Sequence, residues 1–103
     1  MGASEFSCSA SAKNATEAFS QLVEEARYKN GHGGYTGTIA EKRTFRVVTP
    51  EPGETPHACV RRCVDDDSHF SADKWGPAAC VEIGPDPKKP GNKIFIFFGW
   101  ASS

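Results

Sequence analysis

The run Ile94 to Phe98, IFIFF, is apolar at every position and limits the folds that this chain can adopt. A strand exposed on one face alternates apolar and polar residues, whereas an unbroken apolar run needs cover on both faces. Cover by helices on one face and by a partner on the other would also satisfy this requirement. The run cannot cross a bilayer, which requires about 20 helical residues. It therefore predicts a central strand of a sheet.

Two further patterns predict a strand followed by a helix. From Phe6 to Ala12, apolar residues alternate with serines, which is typical of a half-buried strand. Asn14 can then cap a helix, and Glu17 stands at the position that completes a capping box. The apolar residues that follow recur at intervals of three and four and form one stripe: Ala15, Ala18, Phe19, Leu22, Val23 and Ala26. We expect this helix to end near Asn30 and Gly31, after about fifteen residues.

The rest of the chain predicts one more helix and more strands. Thr55 and Pro56 are suited to the cap and first position of a helix through PHACVRRCVDD. The segments AACVEIG and KIFIFFGW are typical strands, and YTGTIAE and TFRVVT predict a hairpin or one long bulged strand. This order favours an α+β fold, in which two helices pack on one face of a mainly antiparallel sheet of four to five strands.

Length and charge limit the function classes. At 103 residues the chain is long enough for one domain, which we assign to residues 1–103. Twelve basic and thirteen acidic residues leave a formal charge of −1, whereas a general binder of phosphate backbones has a basic surplus. Nucleic acid is therefore not expected as a partner. The first residues lack the basic and apolar regions of a signal peptide, so we expect a cytoplasmic protein without membrane association.

A glycine-rich stretch, KNGHGGYTGTIAEK from Lys29 to Lys42, is the first candidate site. It follows a helix and lacks the spacing of a dinucleotide fingerprint, and no Walker motif is present. GYTG matches the loop of a KH domain in letters only. The stretch is either a helix stop and turn or a recognition loop. As a loop it would present binding residues that we assign as His32, Gly33, Gly34, Tyr35, Thr36 and Thr38.

Cysteine and histidine residues suggest two chemistries without establishing either. His57, Cys59, Cys63 and His69 lie close together in sequence, yet zinc sites usually use C-x2-C pairs rather than C-x3-C. Burial of Cys59 and Cys63 as small core residues is the main alternative. A thiol activated by His32 would require Cys80 nearby, which the sequence does not indicate. We therefore assign no catalytic residue, no metal and no cofactor.

Two tryptophans, Trp75 and Trp100, each lie beside a glycine. Packing in the core or at a sheet edge is the ordinary role of such residues. An exposed tryptophan would instead be a natural anchor for an interface. We include Trp75 among the candidate binding residues for that reason.

Three segments resemble a group of small proteins encoded by actinobacterial phages. They are GHGGYTGTIAEK from Gly31 to Lys42, DKWGPAAC from Asp73 to Cys80, and FFGWAS, which ends at Ser102. The helical segment EAFSQLVEEARY extends the resemblance. It implies a phage origin and a setting in the host cytoplasm, and it carries over no catalytic or ligand-binding residue.

Together these observations favour a non-enzymatic protein that binds a host protein. The alternative is a nucleotide or signal-molecule binder, or a small enzyme, with a pocket at the loop from Gly31 to Thr38. A sign of that alternative would be His32 converging with Cys80, Glu41 or Asp73. A zinc-stapled domain is a third hypothesis, and self-association is left open.

Overall fold

A four-stranded sheet organises the part of the chain that the computed structural model describes, which is residues 2–30, 37–66 and 68–102. Its strands are β1 (Ala3–Ala12), β2 (Phe45–Val47), β3 (Ala78–Pro85) and β4 (Lys93–Ser102). Two α-helices, α1 (Ala15–Asn30) and α2 (Pro56–Val64), pack against the sheet, and two 3₁₀ helices span Ile39–Glu41 and Phe70–Ala72. The α+β class, the number of helices and the strand count are confirmed.

The strands lie in the order β1-β4-β3-β2. β4 runs antiparallel to β1 over ten consecutive residue pairs, from Ala3 opposite Ser102 to Ala12 opposite Lys93. β4 is also antiparallel to β3, whereas the short β2 is parallel to β3. The sheet is therefore mainly antiparallel, and β4 occupies the interior position that the run Ile94 to Phe98 predicts.

The two helices lie on opposite faces of this sheet. α1 covers a core that includes Phe95 and Phe97 of β4, and α2 covers a second core that includes Ile96 and Phe98. Successive strand residues point to opposite faces, so these two sets of residues identify the two layers. The prediction that both helices pack on one face is therefore wrong. The structure differs because the apolar run of β4 needs cover on both faces, and each helix supplies one.

Both helices begin at the predicted caps. The Asn14 side-chain oxygen accepts a hydrogen bond of 2.9 Å from the Glu17 backbone N–H. The Thr55 hydroxyl accepts one of 3.1 Å from Ala58 N–H, and Pro56 occupies the first turn of α2. These bonds satisfy backbone donors that have no partner inside a helix.

The expected extended pair between α1 and α2 is confirmed in one of its two segments. Phe45–Val47, within TFRVVT, joins the sheet as β2. Ile39–Glu41, within YTGTIAE, forms a 3₁₀ helix instead of a strand, so that part of the prediction is wrong. The Thr38 hydroxyl caps the 3₁₀ helix, and the Ile39 side chain is buried at its start. The cap and the inward turn of Ile39 therefore favour a tight helical turn over an alternating strand.

Candidate functional site

A groove of about 620 Å³ opens between the end of α1, the first 3₁₀ helix and the loop before β3. We name it the Trp75 groove. Its lining combines an indole ring with several charged side chains, and comprises Arg27, Ala40, Glu41, Lys42, Arg43, Thr44, Trp75, Gly76 and Pro77. Its volume lies in the range of about 300–1,000 Å³ that is usual for ligand sites.

Lys42 fixes one wall of the Trp75 groove. Its side chain is only 3% exposed, and its ammonium donates to the backbone carbonyls of Gly76, Lys74 and Asp73 at 2.8, 3.2 and 3.3 Å. The ammonium also lies 6.0 Å from the centroid of the Phe6 ring. Desolvation lowers the pKa of Lys42, and the Asp73 carboxylate acts in the opposite direction. Three carbonyls of one loop are thus held by a single buried cation.

Trp75 projects outward from the loop that Lys42 holds. Its side chain is 64% exposed, and its backbone N–H donates to the Asp73 carboxylate at 2.9 Å. The Lys74 ammonium lies 5.4 Å from the indole centroid, within the range of a cation–π contact. The backbone beneath the ring is therefore fixed, while most of the surface of Trp75 stays exposed.

The charges around the groove are mainly positive. Arg27 and Arg43 are both exposed, and Lys74 adds a third cation beside the ring. Glu41 contributes one carboxylate to the lining. Guanidinium groups bind carboxylates and phosphates through paired hydrogen bonds, and an indole offers an apolar surface. The arrangement suits a ligand that joins an anionic group to an aromatic or apolar one.

Most of the loop assigned from the sequence lies outside the described residues, namely His32, Gly33, Gly34, Tyr35 and Thr36. Thr38 is described, and its hydroxyl accepts the Ala40 N–H at 3.2 Å as the cap of the 3₁₀ helix. It also lines a smaller cavity of about 210 Å³ between β1 and α1. The convergence of His32 with other groups therefore stays a prediction.

The three residues proposed to converge with His32 lie in different environments. Cys80 is fully buried in the core under α1, whereas Glu41 lines the Trp75 groove. The Asp73 carboxylate accepts the Trp75 N–H. Of these three residues, Glu41 alone lines the Trp75 groove.

The weak metal candidates are divided between core and surface. Cys59 and Cys63 are buried between α2 and the sheet, whereas His57 is exposed. The His69 Nδ1 lies 2.7 Å from the Ser71 hydroxyl, in the cap of the second 3₁₀ helix. Within residues 2–30, 37–66 and 68–102, no group of three histidine, cysteine or acidic side chains is placed to hold a metal ion.

The thiols are held in their protonated form by burial. Desolvation raises the pKa of Cys80 to about 12 and those of Cys8 and Cys59 to about 11, and it also raises the pKa of Cys63. All four cysteines are free. The reactive species in thiol chemistry is the thiolate, so these side chains are weak nucleophiles near neutral pH.

We expect the folded protein to react slowly with Ellman's reagent at pH 8. A thiol with a pKa of about 11 rather than 9.0 has a thiolate fraction about 100-fold smaller at that pH, and burial limits access further. Reaction rates in buffer and in concentrated urea would measure the difference. A cysteine that reacts as fast in the folded protein as in urea would contradict this prediction.

Lys42, Arg27 and Arg43 were not predicted from the sequence as residues of the site. The bonds of Lys42 join residues 31 to 34 positions apart, and no local pattern signals such a contact. Arg27 lies outside the apolar stripe of α1, so the helical pattern indicates only an exposed position for it. The described parts of the three segments that carry the phage resemblance do meet: Lys42 binds the loop before β3, and Gly37 N–H donates to the Ser102 carbonyl at 2.8 Å.

Comparisons with protein-family models, with curated proteins and with solved structures give no significant match. In the described part of the chain, no helix has the length and apolar character needed to cross a membrane.

Proposed function

We propose that this chain is a small phage-encoded protein that acts by binding a bacterial host protein through the Trp75 groove. The observation that carries the proposal is an indole ring, 64% exposed, on a loop whose carbonyls are bonded to a buried lysine. Tryptophan is enriched among the residues that dominate binding energy at interfaces. A loop that is already ordered loses less conformational entropy when it binds, which favours affinity.

The charges define the chemistry of the partner. Arg27 and Arg43 flank the groove, and Lys74 lies against the indole. An acidic segment with one apolar side chain would pair its carboxylates with the guanidinium groups and pack that side chain on Trp75. Such complementarity raises the association rate and selects among partners. The partner is therefore expected to present an acidic surface.

The phage origin, the host partner and the cytoplasmic setting come from the resemblance of the three segments. Their described parts meet at Lys42 and at Ser102, so the same segments build the groove wall and its support. Every residue assigned to the groove acts by contact, and the proposal assigns no catalytic role.

A small anionic ligand, such as a nucleotide, is the second candidate. It is favoured by the volume of about 620 Å³ and by the proximity of an aromatic ring to two guanidinium groups. A base could stack on the indole while phosphate oxygens accept hydrogen bonds from Arg27 or Arg43. This candidate uses the Trp75 groove rather than the loop from Gly31 to Thr38.

The first test compares the native protein with the variant Trp75→Ala. Proteins captured from an actinobacterial host lysate would be purified, and their affinities measured by calorimetry. We expect Trp75→Ala to raise the dissociation constant of the true partner about 30-fold, as for a hot-spot residue worth about 2 kcal/mol. Val47→Ala, which alters a side chain 62% exposed on β2, is the matched control and should leave the affinity unchanged.

A variant of the same protein tests the second candidate, a small anionic ligand. The variant Trp100→Phe leaves Trp75 as the sole fluorophore of its type, and ATP and GTP would be titrated into it. A saturable change in emission that Arg43→Ala abolishes would favour the small ligand. A host partner whose affinity is unaffected by both Trp75→Ala and Arg43→Ala would contradict the assignment of the Trp75 groove.

A further inference from the structure

The outer edge of β1 is long and lacks the usual protection against pairing. β1 has ten residues, pairs with β4 on one side only, and shows no shift in register along its length. Its segment ASEFSCSASA contains no proline and no lysine, which are common on protected edges. Within the described ranges, no other strand pairs with this edge. A strand of this length could pair with another chain.

Cavities flank this edge on both faces of the sheet. Ser7 lines the cavity of about 210 Å³ beside α1 and also one of about 350 Å³ beside α2. Neither helix therefore closes over the strand at this point. The exposed side chains of the strand itself are small at this point, since Ser7 and Ser9 are serines. A neighbouring strand could therefore approach without displacing a bulky side chain of β1.

The hydrogen-bond pattern identifies which backbone groups face outward. The Cys80 carbonyl accepts the Val48 N–H, so the polar backbone groups of Cys80 point toward β2. Phe97, which lies opposite Cys80, must then direct its own groups toward β1 and Cys8. Backbone groups alternate along a strand. The odd-numbered residues of β1, including Ser7 and Ser9, therefore direct N–H and C=O to the free edge.

One antiparallel register matches the strand to itself. With Ser9 opposite its own copy, Ser7 lies opposite Ser11 of the second copy and Glu5 lies opposite Lys13. Ser7, Ser9 and Ser11 are odd-numbered positions of β1, so their outward backbone groups meet as hydrogen-bonded pairs. Lys13 lies one residue beyond the strand and its N–H donates to the Glu17 carboxylate at 3.3 Å, so it contributes only the charge of its side chain. The pairs centred on Ser9 supply about six backbone hydrogen bonds. The two-fold axis places one Glu5–Lys13 pair at each end, with opposite charges face to face.

We infer that two copies of this chain associate through β1 in that register and form one continuous eight-stranded sheet. The interface is isologous, because each copy contributes the same edge. Pairing removes the β1 edge of each copy from solvent, and the two charge pairs fix the register. This surface is distinct from the Trp75 groove, so the dimer does not depend on the proposed function.

The test uses the full chain and measures its mass in solution by analytical ultracentrifugation over a range of concentrations. Ser9→Pro removes the outward N–H at the two-fold axis without touching a bond to β4, and should raise the dimer dissociation constant at least about tenfold. Ser9→Thr keeps the N–H and is the matched control. Circular dichroism would show whether Ser9→Pro retains the native fold.

Charge reversal tests the register and stays informative if Ser9→Pro unfolds. Glu5→Lys and Lys13→Glu should each raise the dissociation constant about threefold or more, since each places like charges together twice per dimer. The double variant restores opposite charges and should return to the native value. A native chain that is monomeric throughout, or a double variant no tighter than its single parents, would overturn the inference.

Discussion

Replacing Phe97 with alanine is expected to lower the free energy of unfolding by about 3–5 kcal/mol, the usual cost of removing a buried aromatic ring. Phe97 is fully buried in β4. Its ring centroid lies 5.6 Å from that of Phe19 in α1 and 5.3 Å from that of Phe45 in β2. The alanine variant leaves a cavity between helix and sheet. Urea denaturation followed by circular dichroism would measure the loss.

Two further variants make this prediction specific. Phe97→Leu retains most of the apolar volume and should cost less than Phe97→Ala. Val47→Ala removes a side chain that is 62% exposed, so its effect should stay within about 0.5 kcal/mol. If Phe97→Ala cost no more than Val47→Ala, the layer between α1 and the sheet would not be the main core.

The elements of this fold that depend on local patterns could be predicted from the sequence. The alternation in β1, the apolar stripe of α1 and the caps at Asn14 and Thr55 all match observed elements. Each of these signals involves residues a few positions apart. Local propensity and burial agree at these positions, and that agreement makes the structure predictable from the sequence.

The face of the sheet that α2 covers does not follow from the sequence of α2 itself. Cys59 and Cys63 share one apolar face, but that face could pack on either side of the sheet. The choice depends on which side of β3 the connection from β2 crosses. The continuous apolar run of β4 was the relevant signal, because Ile96 and Phe98 need a cover that α1 cannot reach.

The candidate site was predictable only in part, for a similar reason. Trp75 was identified because an exposed tryptophan is a natural anchor for an interface. Gly76 and Pro77 follow Trp75 in the chain, but the other residues of the Trp75 groove come from α1 and from the segment after Thr38, and no spacing rule joins them to Trp75. From the sequence, Lys42 is expected at the surface, because lysine is almost never fully buried without partners. Its partners are backbone carbonyls. Because every residue carries one, the sequence does not indicate which carbonyls Lys42 contacts.

The second large effect is expected from Lys42→Met, which keeps the side-chain length and removes the ammonium. The carbonyls of Gly76, Lys74 and Asp73 then lose a charged donor in a buried position. We expect the free energy of unfolding to fall by about 2–4 kcal/mol, because each bond to a charged group contributes more than a neutral one. Urea denaturation of the native chain and the variant would measure the change.

The Lys42→Met variant should also alter Trp75. Without the buried cation, the loop loses the bonds that fix its backbone, and iodide should quench Trp75 in the Trp100→Phe background more effectively. Lys74→Met is the matched control, since its ammonium makes one long bond of 3.5 Å to Gly2 and contacts the indole. It should change stability little. Equal losses for the two lysine variants would mean that Lys42 does not organise the loop, and the fixed indole of the Trp75 groove would lose its structural basis.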